Sequence, residues 1–425
     1  KLYDKLLVWK QQTAGTKALL IEGARRIGKS TLVEEFAKNE YRSYLMIDFN
    51  KVSDSVISAF NNYMNDLDTF FLILSSEYGV RLYPKESIII FDEIQQFPKA
   101  RQAIKYLVAD GRFDYIETGS LISIKENVND ITIPSEERTL LMYPMDFEEF
   151  AWAMNEEPLM AYIRQCFDKK VPLEQGIHAK AMLLFRQYMI VGGMPKSLSA
   201  YLENNRSFEM ADMEKRDILT LYRNDIKKIK SGYRSSVLSI FDQIPAFLSR
   251  SERRVVMNRI EKGASFPKYH DTFFWLSDSM IANECFNCSD PNVGLSLNED
   301  RTYVKCYMGD TGLLISHTFD ENEISDGELY REILLGKLSV NEGMFYENVI
   351  AQMLVAAGHK LYFYTRYNQE KHRNDMEIDF ILSNHSKLRY KIFPIEVKSN
   401  DKYSIRSLTR FNESFRQRIG GSYVI

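Results

Sequence analysis

Apolar positions follow two rhythms along this chain. Lys17–Gly23 (KALLIEG), Tyr44–Phe49 (YLMIDF), Ser87–Phe91 (SIIIF) and Tyr115–Ser120 (YIETGS) are short, mostly continuous apolar runs, the pattern of strands buried on both faces of a parallel sheet. Between them the spacing is helical, as with Leu32, Val33 and Phe36 in Lys29–Lys38. Residues 1–150 are therefore expected to form an α/β domain. From about Asp146 to Lys230 the period is helical, broken at Gly192-Gly193-Met194-Pro195, which predicts a helical lid or linker over 151–230. Short helices then alternate with two expected strands, near Gly294–Leu297 and Tyr303–Met308, a pattern compatible with a winged helix over 231–320. Beyond Gly343 one helix (Phe345–Ala357) and strand-like runs at Leu361–Thr365, Glu377–Leu382 and Phe393–Val397 predict a second, smaller α/β domain over 321–425. No internal repeat is visible, which removes solenoids.

Length and composition bound this picture without changing it. A chain of 425 residues exceeds one hydrophobic core, so two to four domains are expected. With 45% hydrophobic and 27% charged residues, and no apolar run near the ~20 residues of a membrane span, the expectation is a cytoplasmic protein without a membrane partner. The chain starts at Lys1 and stops at Ile425 inside a strand-like run, so it is expected to be a piece of a longer protein. Cys166, Cys285, Cys288 and Cys306 include one CxxC but lack the second ligand pair of a structural zinc site; they read as incidental thiols. Net charge is −3, which argues against a uniformly cationic nucleic-acid binder. Between Arg206 and Lys268, however, 14 Lys and Arg face 8 Asp and Glu, a local charge of +6 centred on Lys227, Lys228, Lys230, Arg234, Arg250, Arg253 and Arg254. That stretch is either a solvated helical face or a phosphate-facing patch.

The chemistry concentrates in two places. Gly23-Ala24-Arg25-Arg26-Ile27-Gly28-Lys29-Ser30 matches the eight-position phosphate loop GxxxxGK[ST], set between an expected strand and an expected helix. Its glycines let backbone N–H groups turn inward, Lys29 is expected to reach the β and γ phosphates, and Ser30 to ligate Mg²⁺, with Thr31 opening the helix whose positive end adds to the anion site. The run Ile88–Phe91 then delivers Asp92 and Glu93 at its C-terminal end. Asp92 would hold Mg²⁺ through water and Glu93 would polarise the water attacking the γ phosphate. Thr118 or Ser120, at the end of the next expected strand, suits a γ-phosphate sensor. No Asn-Lys-x-Asp pattern of the kind that selects guanine is present, so ATP is preferred. Arg138 could serve a neighbouring subunit's phosphate, although an exposed surface arginine is the plainer reading.

The second place is acidic. Glu347 lies in the expected helix after Gly343, Asp379 in EIDF and Glu396 in IEVK, two residues before Lys398. On a strand, Glu396 and Lys398 point to the same face. The plain reading is an exposed salt-bridge ladder, yet Asp379 and Glu396 both interrupt apolar runs where charge is costly. Asp379 and Glu396 could share Mg²⁺ or Mn²⁺, hard cations that take oxygen ligands, while Lys398 steadies water or a scissile phosphate. Arg366, Lys371, His372 and Arg373 stand nearby as phosphate contacts.

Taken together, GARRIGKS, IIIFDEIQ, TGS, YPMDFEEF, VGGMP, LYRNDIKKI, YMGDTGLL, GMFYENVI, EIDFIL and PIEVKS resemble a family of bacterial and archaeal ATPases that couple an N-terminal AAA-type module to a C-terminal part of unassigned function. The resemblance runs over nearly the whole chain. It implies a P-loop NTPase (AAA+-like) parallel sheet, a helical lid, a winged helix and a C-terminal α/β domain like restriction endonucleases of the PD-(D/E)xK type, with Glu347, Asp379, Glu396 and Lys398 at its helix-acid, metal-aspartate and E-x-K positions. Ile133-Pro134-Ser135-Glu136-Glu137 departs from relatives that often carry a Gly-Arg pair there, which leaves the arginine finger unassigned. An endonuclease-like fold can persist as a binding module. The leading expectation is thus an ATP-hydrolysing, DNA-associated protein that binds more than it cuts. The alternative is a regulatory ATPase whose C-terminal part contacts a protein partner or a second copy of the chain. A small-molecule kinase is weaker, because phosphoryl transfer alone does not need so much added C-terminal machinery.

Overall fold

The computed structural model describes residues 1–120, 135–229, 233–250, 252–260, 264, 266–320, 327–337, 342–368, 373–384, 391–399 and 403–425. The chain divides into two compact units, Lys1–Tyr143 and Pro144–Ile425.

The first unit runs α1 (Leu2–Gln12), β1 (Ala18–Gly23), α2 (Lys29–Glu40), β2 (Ser43–Asp48), α3 (Asp54–Asn62), α4 (Leu67–Tyr78), β3 (Ser87–Asp92), α5 (Pro98–Asp110), β4 (Asp114–Gly119) and β5 (Glu137–Met142). Its five strands are parallel in the order β2-β3-β4-β1-β5. Successive residues of each strand face opposite layers. Leu19, Ile21, Ile88, Ile90 and Ile116 pack on α1 and α2 through Leu6, Trp9, Val33 and Phe36, while Leu20, Ile47, Ile89, Phe91 and Tyr115 pack on α3, α4 and α5 through Phe60, Phe70, Ile104 and Leu107. Each fully buried aliphatic or aromatic side chain contributes roughly 1.5–3 kcal/mol, so both covering layers are held tightly. β5 escaped the sequence pattern because it is an edge strand with a half-exposed, mixed surface.

The second unit begins with helices α6 (Phe147–Ala153), α7 (Glu157–Lys169), α8 (Gln175–Val191), α9 (Pro195–Glu203) and α10 (Phe208–Lys228). It continues with α11 (Arg234–Leu248), α12 (Met257–Ile260), α13 (Phe266–Asp278), β6 (Ala282–Cys288), β7 (Glu299–Met308), α14 (Thr311–Thr318) and α15 (Glu328–Leu335), and then α16 (Gly343–Ala356), β8 (Leu361–Asn368), β9 (Arg373–Ile378), β10 (Phe380–Asn384), β11 (Lys391–Glu396), α17 (Arg406–Ser414) and β12 (Tyr423–Val424). One sheet has the order β7-β6-β8-β9 and another β10-β11-β12.

One expectation for residues 231–320 is corrected here. The strand expected near Gly294–Leu297 is a short 3₁₀ turn, Leu295–Asn298, entered through Gly294 at φ +78°, and Leu297 points into solvent. The strand that does form is β6, hidden in the sequence by Asn283, Glu284 and Asn287. β6 pairs antiparallel with β7 and, on its other edge, parallel with β8. The physical reason is that the free edge of β6 carries backbone groups that need partners, and Leu361–Phe363 supply them.

Both cysteines of the CxxC lie on β6 as buried core positions, and burial pushes the Cys288 thiol up to about 11. Glu284 on the same strand has its carboxyl pushed up to about 7 by burial, against the pull of His270, Ser277 and Lys360. Its ordinary value is 4.5, so the folded state holds this proton more tightly than the unfolded chain. The stability linked to it is complete below that value and is lost as pH rises through 7. Denaturation midpoints of the full chain are expected to fall by about 2–3 kcal/mol equivalent between pH 4.5 and pH 8 on this account, and Glu284→Gln is expected to remove that component.

Two glycine-bearing loops meet inside the second unit. A Cβ on Gly312 would lie 2.7 Å from the Gly192 Cα, and one on Gly193 would lie 2.2 Å from the Met145 carbonyl oxygen. Between these loops the buried Asp310 accepts hydrogen bonds from Gly193 N (2.6 Å), Leu313 N (2.9 Å) and Gln352 Nε2 (3.1 Å). Met145 N in turn donates to Gly193 O at 2.9 Å.

Candidate nucleotide site and the C-terminal acidic cluster

β1 ends at Gly23 because nothing larger fits: an added Cβ would sit 2.5 Å from the Met142 carbonyl oxygen and 2.4 Å from Ile27 Cδ1. The loop then turns through left-handed backbone at Arg26 (φ 66°) and Gly28 (φ 89°), a conformation that glycine adopts without strain. Gly28 caps α2, whose first turn has neither a side-chain cap nor an acidic residue, so its N–H groups face the loop as an anion site. Lys29 Nζ, 6% exposed, donates to Gly23 O (3.1 Å) and Ala24 O (2.9 Å). Burial pushes this ammonium below its ordinary range, with Glu93 and Asp92 pulling it back up. Ile27 is buried against the loop, whereas Arg25, Arg26 and Thr31 are exposed.

The order of strands decides what stands beside Lys29. β4 lies between β1 and β3, so the end of the sensor-candidate strand separates the phosphate loop from the two carboxylates. Asp92 Oδ1 accepts from Ser30 Oγ at 2.8 Å and also from Thr118 Oγ1, and Thr118 Oγ1 accepts from Glu93 N at 3.4 Å. Thr118 is thus wired to Asp92, while Ser120 is buried just past the end of β4. Glu93 adopts φ 55°, and its Oε2 accepts from Gln95 Nε2. Gln95 was not singled out in the sequence; its only signal is its place two residues after the acidic pair. A hydroxyl in contact with a carboxylate, next to a buried ammonium, fits the hard-oxygen chemistry of Mg²⁺ and a polyphosphate. Arg138 pairs in register with Leu19, four strand positions and ~13 Å from the loop end, and it is exposed.

In the second unit the acidic residues gather around one bend and one lysine. Chain direction breaks at Asp379, the single residue between β9 and β10. Asp379 Oδ2 accepts from Val397 N at 2.8 Å, and Lys398 Nζ donates to Glu396 Oε1 at 2.7 Å. Glu347, fully buried on α16, is held by Lys305 Nζ at 3.0 Å, by the Tyr307 hydroxyl and by Arg253. Lys305 also lies 3.2 Å from Glu377 and 3.9 Å from Asp379. Among the described residues no group of three or more His, Cys, Asp or Glu is arranged to hold a metal ion. The Lys305 ammonium therefore lies among Glu347, Glu377 and Asp379, while Asp379 and Glu396, the pair expected to share a cation, are neighbours through the Val397 N–H. Lys305 was missed, although it breaks the apolar run YVKCYM just as Asp379 breaks EIDFIL. Arg366 is ion-paired with Asp375 at 3.0 Å, and Lys371, His372 and the Arg373 side chain lie outside the described residues.

The basic stretch is divided. Lys227, Lys228 and Arg234 are exposed, whereas Arg253 turns to Glu347 and Arg254 to Glu252 and the Tyr303 ring; Lys230 lies outside the described residues. Among those residues no helix is long and apolar enough to cross a membrane.

Comparison with known proteins follows this division. Residues 182–323 match a domain of unknown function, DUF8612, and residues 342–425 another, DUF4143. No curated protein matches the chain. Similar solved structures include the ORC1 protein of Aeropyrum pernix in complex with DNA, at 10% identity and TM-score 0.29 over 75% of this chain and 91% of that one. They also include Cdc6p of Pyrobaculum aerophilum, at 11% identity and TM-score 0.26 over 76% and 93%, and a single-residue variant of RuvB from Thermotoga maritima, at 12% identity and TM-score 0.27 over 65% and 85%. Likeness at that level carries no functional weight. Residues 15–151, which contain the phosphate loop, Asp92, Glu93 and Thr118, match the AAA_14 family, described as an AAA domain.

Proposed function

We propose that the chain is a Mg²⁺-dependent ATPase whose nucleotide state controls what the Pro144–Ile425 unit binds. The observation that carries the ATPase half is the hydrogen-bonded line from Ser30 through Asp92 to Thr118, with Glu93 next in sequence and Lys29 beside it. Lys29 exchanges the Gly23 and Ala24 carbonyls for phosphate oxygens, an exchange favoured because a buried ammonium gains more from an anion than from neutral dipoles. Ser30 and Asp92 are the residues to hold Mg²⁺, which supplies charge neutralisation on the phosphates when bound. Thr118 orients Asp92 and lies where it can respond to the terminal phosphate. Glu93 leaves Gln95 and accepts a proton from the attacking water at its carboxylate.

Glu93→Gln keeps size and hydrogen bonding but removes the base. It is expected to bind ATP as the unaltered chain does and to lose turnover by roughly 10²–10⁴-fold; turnover at the original rate would sink the assignment of Glu93.

For the second unit the reading is binding without cutting. The order α11, α12, α13, β6, β7 supports a winged-helix-like element, α16 with β8 to β11 supports an endonuclease-like one, and exposed Lys227, Lys228 and Arg234 favour DNA as the partner. The same turnover assay separates the partners. Duplex DNA that raises the rate at low salt, with the effect fading as salt rises, supports this reading, and no stimulation supports a protein partner.

A further inference from the structure

Side chains from four places in the second unit meet around one amine. Lys305, on β7 and 1% exposed, has its Nζ 3.0 Å from Glu347 of α16, 3.2 Å from Glu377 of β9 and 3.9 Å from Asp379 at the bend after it. The Phe363 ring of β8 closes another side, its centroid 5.0 Å from Nζ. The Tyr307 hydroxyl and Arg253 complete the shell around Glu347.

Oxygen ligands from a helix, a strand and a bend around one positive centre are what a divalent ion requires, and here the centre is covalently part of the chain. We infer that Lys305 is the resident cation of the Glu347, Glu377 and Asp379 carboxylates, so that the second unit recognises its partner without a metal and does not hydrolyse phosphodiesters through one.

Charge supports this. The carboxylates of Glu347, Glu377, Asp379 and Glu396 face Lys305, Arg253 and Lys398, which leaves one net negative charge, too little to draw a divalent ion out of water. Ligand capacity supports it too. Asp379 Oδ2 is taken by Val397 N and Glu396 Oε1 by Lys398, which leaves Glu347 Oε2, ion-paired with Arg253, and Glu396 Oε2 as the buried carboxylate oxygens of the cluster without a hydrogen-bond partner among the described residues. The amine is buried, 1% exposed, between these carboxylates and the Phe363 ring. This inference deepens the binding half of the function proposed above and is independent of the ATPase half.

The test is Mn²⁺ titration of the full chain without nucleotide, followed by electron paramagnetic resonance, on the unaltered protein, Asp379→Asn, Lys305→Met and the Lys305→Met/Asp379→Asn double variant. The unaltered protein and Asp379→Asn are expected to give the same isotherm. Lys305→Met is expected to gain one Mn²⁺ site that the double variant lacks. A Mn²⁺ site in the unaltered protein that Asp379→Asn removes overturns the inference, and so does a folded Lys305→Met that gains no site. If Lys305→Met does not fold, comparison of the unaltered protein with Asp379→Asn decides alone. ATP turnover, measured separately, reports only on the phosphate loop, so failure of one reading is distinguishable from failure of the other.

Discussion

Lys29→Ala is expected to lower ATP turnover by on the order of 10²–10³-fold or more, the effect of deleting one preorganised donor to a developing charge, and to weaken ATP binding together with it. Lys29 is both the cation that the phosphates need and the donor that satisfies Gly23 O and Ala24 O. The alanine removes the first function outright and leaves the two carbonyls to water. The fold survives, because the ammonium is buried at a desolvation penalty that lowers its basicity, so its loss relieves one cost while creating another. Initial-rate ATPase assays and titration calorimetry check the two effects, and Lys29→Met controls for shape. The contrast with Glu93→Gln is diagnostic: that variant loses chemistry and keeps binding, whereas Lys29→Ala loses both. A folded Lys29→Ala chain that hydrolyses ATP at the original rate would overturn the assignment of the site.

The largest expected loss of stability is at Asp310. This carboxylate is buried and accepts from Gly193 N, Leu313 N and Gln352 Nε2. Burial pushes its carboxyl above the ordinary range, and the N–H donors pull it back. Asp310→Ala strips three buried donors of their acceptor, at about 1–3 kcal/mol each before relaxation. It also leaves a void where the Gly192–Gly193 and Asp310–Gly312 loops touch backbone to backbone. A net loss of about 3–5 kcal/mol, or roughly 10 °C in unfolding midpoint for a unit of this size, is expected by calorimetry. Asp310→Asn is expected to lose less, since its side-chain oxygen can still serve one or two of the donors. A midpoint within about a degree of the original in Asp310→Ala would show that this joint does not hold the unit together.

The phosphate loop could be read directly from the chain, because its chemistry is local: two glycines, a lysine and a serine at set spacing on a strand–loop–helix flank. Asp92 and Glu93 were legible for the same reason, as charges at the end of a buried apolar run. Gln95 was not, since an amide two residues past an acidic pair looks like any polar turn residue until its side chain is seen to reach Glu93. The C-terminal acids were legible as misplaced charges, but their meaning was not. Glu347, Asp379 and Glu396 look like metal ligands while the chain is read linearly, because Lys305, which pairs with Glu347 and lies near Asp379, is 42 positions before Glu347, in a strand assigned to a different domain.

What the sequence alone determined, then, is everything carried by periodicity and short spacing: the alternating first unit, the helical stretch from α6 to α10, the phosphate loop, and the carboxylates at strand ends. What only the tertiary structure decided is adjacency. β4 comes between β1 and β3, which brings Thr118 to Asp92; β6 takes β8 as a second partner, which joins segments expected to be separate; and β7 carries Lys305 into the acids of α16 and β9. The physical reason is that an isolated strand constrains only its own two faces, while its edges are satisfied by whichever backbone the whole chain brings alongside. Hydrophobic rhythm records the faces and is silent about the edges, so the elements could be read in order but their neighbours could not.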